Sequence, residues 1–591
     1  MKKRVADIVA SFLIEKGIKD IFTVTGGGAM FLNDGIASNN NINYICNHHE
    51  QACAMGAVGY AKYKNGLAAV MVTSGCGATN SITGLLDAWG DNTSVIFISG
   101  QIKRKETSRN SKTNLRQFGV QEADIVSIVD SITKYSVMIN NPEDILYHLE
   151  KAIHIALNGR PGPVWIDIPL DVQGFSLDEN SLRHYLPDKG LSYEINGIDK
   201  FVELYNQSQR PIILAGNGIR LSGSIDNFRE FLREKNLPCV VSYLGVDFLE
   251  QDNPNYVGRV GIKGDRAGNF AIQNSDLIIC LGTRLSITQT GFEYELFGRN
   301  SKLIVVDIDS DEHQKDTVKI DQFICADIGI FLEKTVGRIA PKPNLIWQKQ
   351  CIYWKNKWPV YQGKYDEETV NMYEFGNILS KVIDEEAIIV SDAGSNFYVM
   401  AQSLIIKSVN QRYITSGAQG DMGFTLPAAI GACLASKKPV IGITGDGSFQ
   451  MNIQELQTVK YYNLPVKTII MNNGGYLSIR GTQNKFFNGR RIGTDKDSGV
   501  SFPNIEKIAI AYEIPYIKIN NANELMDKLK KVINQNGPVI CEVMCPEDQE
   551  VLPTVSAVKN EDGSMTSKPI EDMYPYLERD EFYEEMINKP I

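Results

Sequence analysis

Two short segments bring oxygen donors and glycines together. Gly445-Asp446-Gly447-Ser448 and Asn472-Asn473-Gly474-Gly475 each follow an apolar, β-branched run, and Asp446 and Asn473 stand 27 residues apart. Between them, Ile453 to Val459 reads as a crossover helix, so both strand ends fall at the same edge of one sheet. One carboxylate and one amide oxygen then face a common point. Magnesium takes hard oxygen ligands and keeps company with phosphates, so an Asp, an Asn and a backbone carbonyl suffice as the protein's share of its shell. Gly445, Gly447 and Ser448 are small enough to let the N–H groups of a helix start approach a diphosphate closely. Taken singly, each segment also makes an ordinary turn.

A further acid stands apart from these. Glu50, in Asn47-His48-His49-Glu50-Gln51-Ala52-Cys53-Ala54, opens a helix of small residues after the apolar stretch 42–45. On its own it does no more than complement a helix dipole; beside a magnesium-diphosphate site it becomes a candidate catalytic group.

The elements that must position these groups follow from the pattern. At 591 residues the chain exceeds one hydrophobic core and implies about three or four domains. Apolar runs alternate with amphipathic stretches, as in parallel sheets covered by helices on both faces, so the fold class is α/β with doubly wound domains. Strand-to-glycine-to-helix junctions recur at 70–77, 212–218 and 440–447, and each places a helix start at the carboxyl end of a strand, where such sheets bind ligands. Composition divides the chain into 1–177, 194–340, 363–548 and a charged, aromatic tail at 549–591. The polar segment 178–193 reads as a linker, the run 341–362 as a second break, and the tail as a lid, a subunit strap or a partly ordered surface segment.

Bulk properties exclude other classes. An apolar fraction of 43% and a charged fraction of 22% are those of a soluble globular protein. A net charge of -10 argues against nucleic acid as the main partner. Val5, Ile8, Val9, Phe12 and Leu13 make the N-terminus an amphipathic helix rather than a signal peptide, and no window suits a membrane span, so the expected location is the cytoplasm. The ten cysteines lack metal-like spacing and read as reduced, buried fillers.

The Asp446 and Asn473 segments together resemble the thiamine-diphosphate motif of pyruvate decarboxylases and acetolactate synthases, and the resemblance extends from Ile21 to about Met544. It implies magnesium held by Asp446, Asn473 and the Gly475 carbonyl, and a diphosphate gripped by Gly445, Gly447 and Ser448 and, from the other side, by Ala393, Gly394, Ser395 and Asn396. Thiamine chemistry needs a carboxyl at the pyrimidine nitrogen and an apolar wedge that bends the cofactor. The resemblance assigns these to Glu50 and Met422, with the Gly420 carbonyl meeting the amino group. Gly27, Asn80, Tyr476 and Leu477 are expected at the cofactor, and Gly28, Phe31, Phe118, Gln121 and Arg480 at the substrate. In this family the glutamate and the diphosphate grip meet across a subunit interface, implying a homodimer or homotetramer.

Finer membership rests on details. Gly26-Gly27-Gly28, Thr73 to Asn80 and Arg160-Pro161-Gly162-Pro163 resemble acetolactate synthase large subunits, with pyruvate or another small 2-oxo acid as donor. Two departures put the usual acceptor pocket in doubt: Gly282-Thr283-Arg284-Leu285 replaces an Asp-Asp-Arg segment, and Tyr476-Leu477-Ser478-Ile479-Arg480 replaces a tryptophan-bearing loop. The Gly-Gly-Gly-Ala-Met opening, that loop and the long tail look more like synthase-like proteins of surface-polysaccharide loci, some of which join a two-carbon unit to a keto-sugar nucleotide. The competing expectations are acetolactate formation from a second pyruvate, simple decarboxylation, and a nucleotide-binding protein without chemistry. Gly216-Asn217-Gly218, Arg284 and Val306 to Asp309 resemble flavin-contacting positions, so FAD is a candidate cofactor, against an empty or adenine-nucleotide cleft.

Overall fold

A computed structural model describes residues 2–178, 180, 182–187, 195–342, 345–363, 365 and 368–589. It holds three six-stranded sheets, parallel throughout and flanked by helices, the α/β architecture expected. Edge to edge, the N-terminal sheet runs Asn43–Cys46, Asp20–Thr23, Ala68–Val72, Val95–Gln101, Val164–Pro169 and Tyr135–Met138. The C-terminal sheet runs Arg412–Thr415, Ile388–Ser391, Val440–Gly445, Val466–Asn472, Val539–Met544 and Tyr516–Ile519. These two share one strand order. The central sheet runs Tyr256–Arg259, Cys239–Val241, Pro211–Ala215, Leu277–Leu281, Lys302–Asp307 and Gln322–Cys325, the 3-2-1-4-5-6 order of dinucleotide-binding folds. Central strands such as Ala68–Val72 and Leu277–Leu281 are buried along their whole length, which explains their unbroken apolar runs.

The N- and C-terminal sheets are joined by two helices, Glu50–Lys64 and Thr425–Ser436. Both are rich in small residues where they meet. A Cβ on Gly59 would run into the Ala428 backbone, and one on Gly431 into the Gly56 carbonyl, so the two backbones touch directly. No helix among the described residues is long and apolar enough to cross a membrane.

Two sequence expectations change. The break expected at 341–362 contains the helix Leu345–Lys357, whose Trp347 and Trp354 are buried against the central unit, with the Trp347 indole donating to the Pro211 carbonyl at 2.9 Å. Tryptophan and lysine there mark a packed face and its solvated edge rather than a linker. Half of the segment 178–193, namely 179, 181 and 188–193, lies outside the described residues. Of the ten cysteines, Cys46, Cys76 and Cys325 are exposed, so only seven are the buried fillers expected.

The tail folds back on its own central unit. Glu571 is fully buried and pairs with Arg299 at 2.6 Å; Asn269 donates to the Ile570 carbonyl at 2.8 Å; and the Phe582 ring packs 5.7 Å from that of Phe270. Phe582 is therefore core packing, whereas Tyr574, Tyr576 and Tyr583 stay exposed. Removing one partner of a buried ion pair costs about 3–5 kcal/mol. Glu571→Ala is therefore expected to lower the thermal midpoint and to release the tail to limited proteolysis, whereas Gly431→Val should lower the midpoint by overpacking without exposing the tail.

Candidate active site

The strands Val440–Gly445 and Val466–Asn472 end side by side, and what joins their ends is a single carboxylate. Asp446 is 1% exposed; its Oδ1 accepts from the Gly447 N–H at 2.8 Å, and its Oδ2 accepts from the N–H groups of Asn473 and Gly475 at 3.2 and 3.1 Å. Burial pushes its pKa up to about 6 although those N–H groups pull it down, so the site holds a carboxylate whose charge a cation would stabilise. Asn473 is buried beside it. The crossover helix between them, expected from Ile453, spans Glu455–Tyr461.

The neighbouring strand end brings the 393–396 segment to the same place. Gly394 sits at φ +64° and opens the helix Gly394–Ser403, a conformation that favours glycine. Asp392, fully buried, accepts from the hydroxyls of Thr444 and Ser448 at 2.9 and 2.5 Å, and burial lifts its pKa to about 6. The second oxygen of Asp392 and the amide oxygen of Asn396 are buried without a partner. At Gly447 a side chain would collide with the Tyr476 ring. Oxygen donors, orphaned buried acceptors and glycines that hold the space open suit a diphosphate with a divalent cation.

Glu50 begins the helix Glu50–Lys64 and its Oε2 accepts from the Asn80 amide at 2.9 Å. A Cβ on Gly77 would stand 3.4 Å from Glu50 Oε1, so the glycines after the strand Ala68–Val72 leave the carboxyl open. Among the described residues, no hydrogen bond or ion pair links Glu50 to the Asp446 or Asn473 loops. The structure thus brings the two predicted groups into one fold but not into contact within one chain.

The loop 416–423 carries a network that sequence reasoning missed. Lys62 donates to Asp91 at 2.7 Å, Asp87 at 3.3 Å and the Thr415 carbonyl at 2.8 Å; Asp91 also accepts from the Gly417 N–H at 2.7 Å. Ser416 Oγ in turn accepts from the N–H of Gly420 at 3.0 Å and of Asp421 at 3.3 Å. Burial works against the Lys62 ammonium, yet Asp87 and Asp91 outweigh it and hold its pKa above the ordinary value. Burial and the nearby Asp87 lift the Asp421 carboxyl well above the carboxylate range. Gly420 takes φ +63°, and Met422 remains 37% exposed. Asp421 was within reach of sequence reasoning, lying between two predicted residues; Lys62, Asp87 and Asp91 carry no local signal.

The residues expected at the substrate divide. Gln121, at φ +58°, has its carbonyl 2.5 Å from where a Gly75 side chain would begin, which seats it beside the Glu50 end of the sheet. Phe118 is 56% exposed. Gly27 is open, Gly28 accepts nothing larger because Ser74 abuts it, and the Phe31 ring packs over Gly174. The residues singled out for flavin converge elsewhere: Asn217, Gly218, Arg284 and Asp307 line a cavity of about 1030 Å³ between the central unit and His154 and Arg160 of the N-terminal unit.

Residues 3–128 match the family model "Thiamine pyrophosphate enzyme, N-terminal TPP binding domain", 198–335 its central domain and 392–543 its C-terminal TPP binding domain. The chain is 33% identical to the acetolactate synthase large subunit of Lactococcus lactis subsp. lactis, over 93% of this chain and 94% of that protein. It is 32% identical to a probable acetolactate synthase large subunit of Methanocaldococcus jannaschii, over 93% of each. A chloroplastic acetolactate synthase of Arabidopsis thaliana is 30% identical over 93% of this chain and 82% of that protein.

Arg480, expected at the substrate, is instead 1% exposed. One guanidinium nitrogen donates to the carbonyls of Asn473 at 2.9 Å and Glu547 at 2.6 Å and lies 3.2 Å from the Asn473 amide oxygen. It is the clamp of the glycine loop. Leaving buried carbonyls unpaired costs about 1–3 kcal/mol each, so Arg480→Met is expected to speed hydrogen exchange at Asn473 to Gly475 selectively, with the helix Glu50–Lys64 unchanged.

Proposed function

We propose a reaction for this chain from the premise that it belongs to the acetolactate-synthase-like thiamine pyrophosphate enzymes, a membership carried by three matched domains and by relatives above 30% identity over nearly its whole length. It is a thiamine-diphosphate-dependent carboligase. The reading is that it decarboxylates a small 2-oxo acid, pyruvate in the first place, and transfers the two-carbon unit to the carbonyl of a keto-sugar nucleotide. The observation that carries the cofactor half is the buried Asp446 carboxylate, ringed by N–H groups of both glycine loops within the segment matched as a TPP binding domain.

Thiamine diphosphate, when bound, supplies the sink for the electron pair released with carbon dioxide. The chain's own groups divide the remaining work. Asp446, Asn473 and the Gly475 carbonyl would hold magnesium, whose charge would stabilise the buried carboxylate. Gly445, Gly447 and Ser448 grip the diphosphate on one side and Ala393, Gly394, Ser395 and Asn396 on the other. Glu50 holds a proton at the pyrimidine nitrogen, with Asn80 orienting its other oxygen. With the cofactor bound, the Gly420 carbonyl would accept from its amino group, Met422 would pack against it, and Gly27, Tyr476 and Leu477 would contact it. Gly28, Phe31, Phe118 and Gln121 face substrate.

Because Glu50 is not bonded to the diphosphate loops of its own chain, the reading includes a homodimer or homotetramer in which it serves the cofactor of a second copy. The exposure of Met422 supports that arrangement. FAD is assigned to the cavity lined by Asn217, Arg284 and Asp307. A second reading, acetolactate from two pyruvates, is favoured by the names of the relatives.

The purified protein with thiamine diphosphate and magnesium is expected to release carbon dioxide from pyruvate and to form a branched-sugar adduct when a keto-sugar nucleotide is present. Acetolactate as the sole product selects the second reading, and free acetaldehyde selects simple decarboxylation. A flavin absorption band on the isolated protein tests the cavity assignment. Glu50→Gln should cut turnover at least about 100-fold while the cofactor still binds, the scale of a lost proton-transfer group. Asp446→Asn should instead weaken binding of the cofactor with magnesium.

A further inference from the structure

The chain as a whole is acidic, with 60 basic and 70 acidic residues, yet one exposed segment reverses the sign. Between Lys103 and Arg116 stand Lys103, Arg104, Lys105, Arg109, Lys112 and Arg116, with Glu106 as the one acid. Some of these are committed: Arg104 to Asp171 at 2.9 Å, Arg109 to Asp124 at 2.8 Å, and Lys103 loosely to Glu106 at 3.9 Å. Lys105, Lys112 and Arg116 are exposed and have no ion pair or hydrogen bond among the described residues.

The segment is a closed bight rather than a loose loop. The Glu122 carboxylate accepts from the Ser108 N–H at 2.7 Å and from the Phe118 N–H, so one side chain staples both feet. Thr107 is buried at one foot, and Gly119 packs so closely on Ile102 that it has no room for a side chain. The other foot ends at Gln121, against Gly75, two residues from the Gly77 that borders Glu50. The free cations are thus carried on a pinned loop rooted at the Glu50 end of the N-terminal sheet. Leu115 and Phe118, 40% and 56% exposed, lie along the same loop.

We propose that this bight binds the diphosphate of the acceptor, with Lys112 and Arg116 meeting the phosphates, Lys105 adding to the field, and Phe118 offering a face to the base or sugar. The inference rests on the keto-sugar nucleotide reading of the acceptor and names the residues that would recognise it. Three unpaired cations on an otherwise acidic surface attract a doubly charged ligand and repel no part of it. Single exposed pairs are weak, so the binding is collective and salt-sensitive.

The test uses the holoenzyme saturated with thiamine diphosphate and magnesium, so that the cofactor's own diphosphate site is filled, and uridine diphosphate as the probe in calorimetry. The wild type is expected to bind it, more weakly at about 200 than at about 50 mM salt because screening roughly halves the reach of the charges, and not to bind uridine. Lys112→Glu with Arg116→Glu should weaken binding at least about tenfold with an unchanged thermal midpoint, while Lys112→Arg with Arg116→Lys should retain it, a tenfold change corresponding to about 1.4 kcal/mol. Unaltered affinity in the charge-reversed protein, equal binding of uridine, or no binding by the wild type overturns the proposal. Loss of carbon dioxide release from pyruvate with nucleotide binding intact would sink the reaction reading alone.

Discussion

The contact on which the site depends is a helix crossing without side chains. Where Glu50–Lys64 meets Thr425–Ser436, Gly56, Gly59, Ala428 and Gly431 let the two backbones touch. At that distance Lys62 reaches past its own sheet to the Thr415 carbonyl, and Asp91 reaches the Gly417 N–H. A bulkier crossing would withdraw both groups, and the loop 416–423 would lose the anchors that set Gly420 and Met422. Thus the absence of a few Cβ atoms, worth nothing as chemistry, fixes the position of groups that are.

Electrostatics explain why the neighbouring carboxylates are arranged unequally. Asp446 and Asp392 are buried with N–H or hydroxyl donors and no cation of the protein's own, and each is held near a pKa of 6. Asp87 and Asp91 share Lys62. Fold stability alone gains nothing from charging the first pair, since burial of an unpaired carboxylate is costly. One set of carboxylates is thus paired internally with an ammonium, while the other, with the orphaned oxygens of Asp392 and Asn396, has no ion pair among the described residues.

The three sheets, the strand-to-glycine junctions and the helix begun by Glu50 were legible in the sequence because each is encoded locally: an apolar run, a small residue, a cap. The proximity of Asp446 to the Asn473 loop was legible for the same reason, both lying in one crossover unit. Arg480 was misplaced because nothing in Leu-Ser-Ile-Arg distinguishes a guanidinium turned inward onto two carbonyls from one turned out to a substrate. The Lys62 network joins residues more than 300 positions apart and has no periodic signal. The segment 341–362 looked like a linker because its hydrophobic stripe consists of tryptophans and a cysteine separated by lysines; only the Pro211 carbonyl and Phe270, distant in sequence, reveal what that stripe faces.

The central unit shows how one architecture divides its labour. Its strand order differs from the order shared by the other two sheets, and it carries the cavity rather than the glycine-lined carboxylate site. The tail packs on this unit as well, through Glu571 on Arg299 and Phe582 on Phe270. The buried Glu571–Arg299 pair commits that part of the tail to the central unit. The helix Leu477–Phe487 is rooted beside the Asp446 loops, tied to the Asn473 carbonyl by its own Arg480, and it meets the tail through Lys485 and Ser556. Because Arg480 belongs to that helix and is buried on the Asn473 and Glu547 carbonyls, helix and glycine loop hold one another in place.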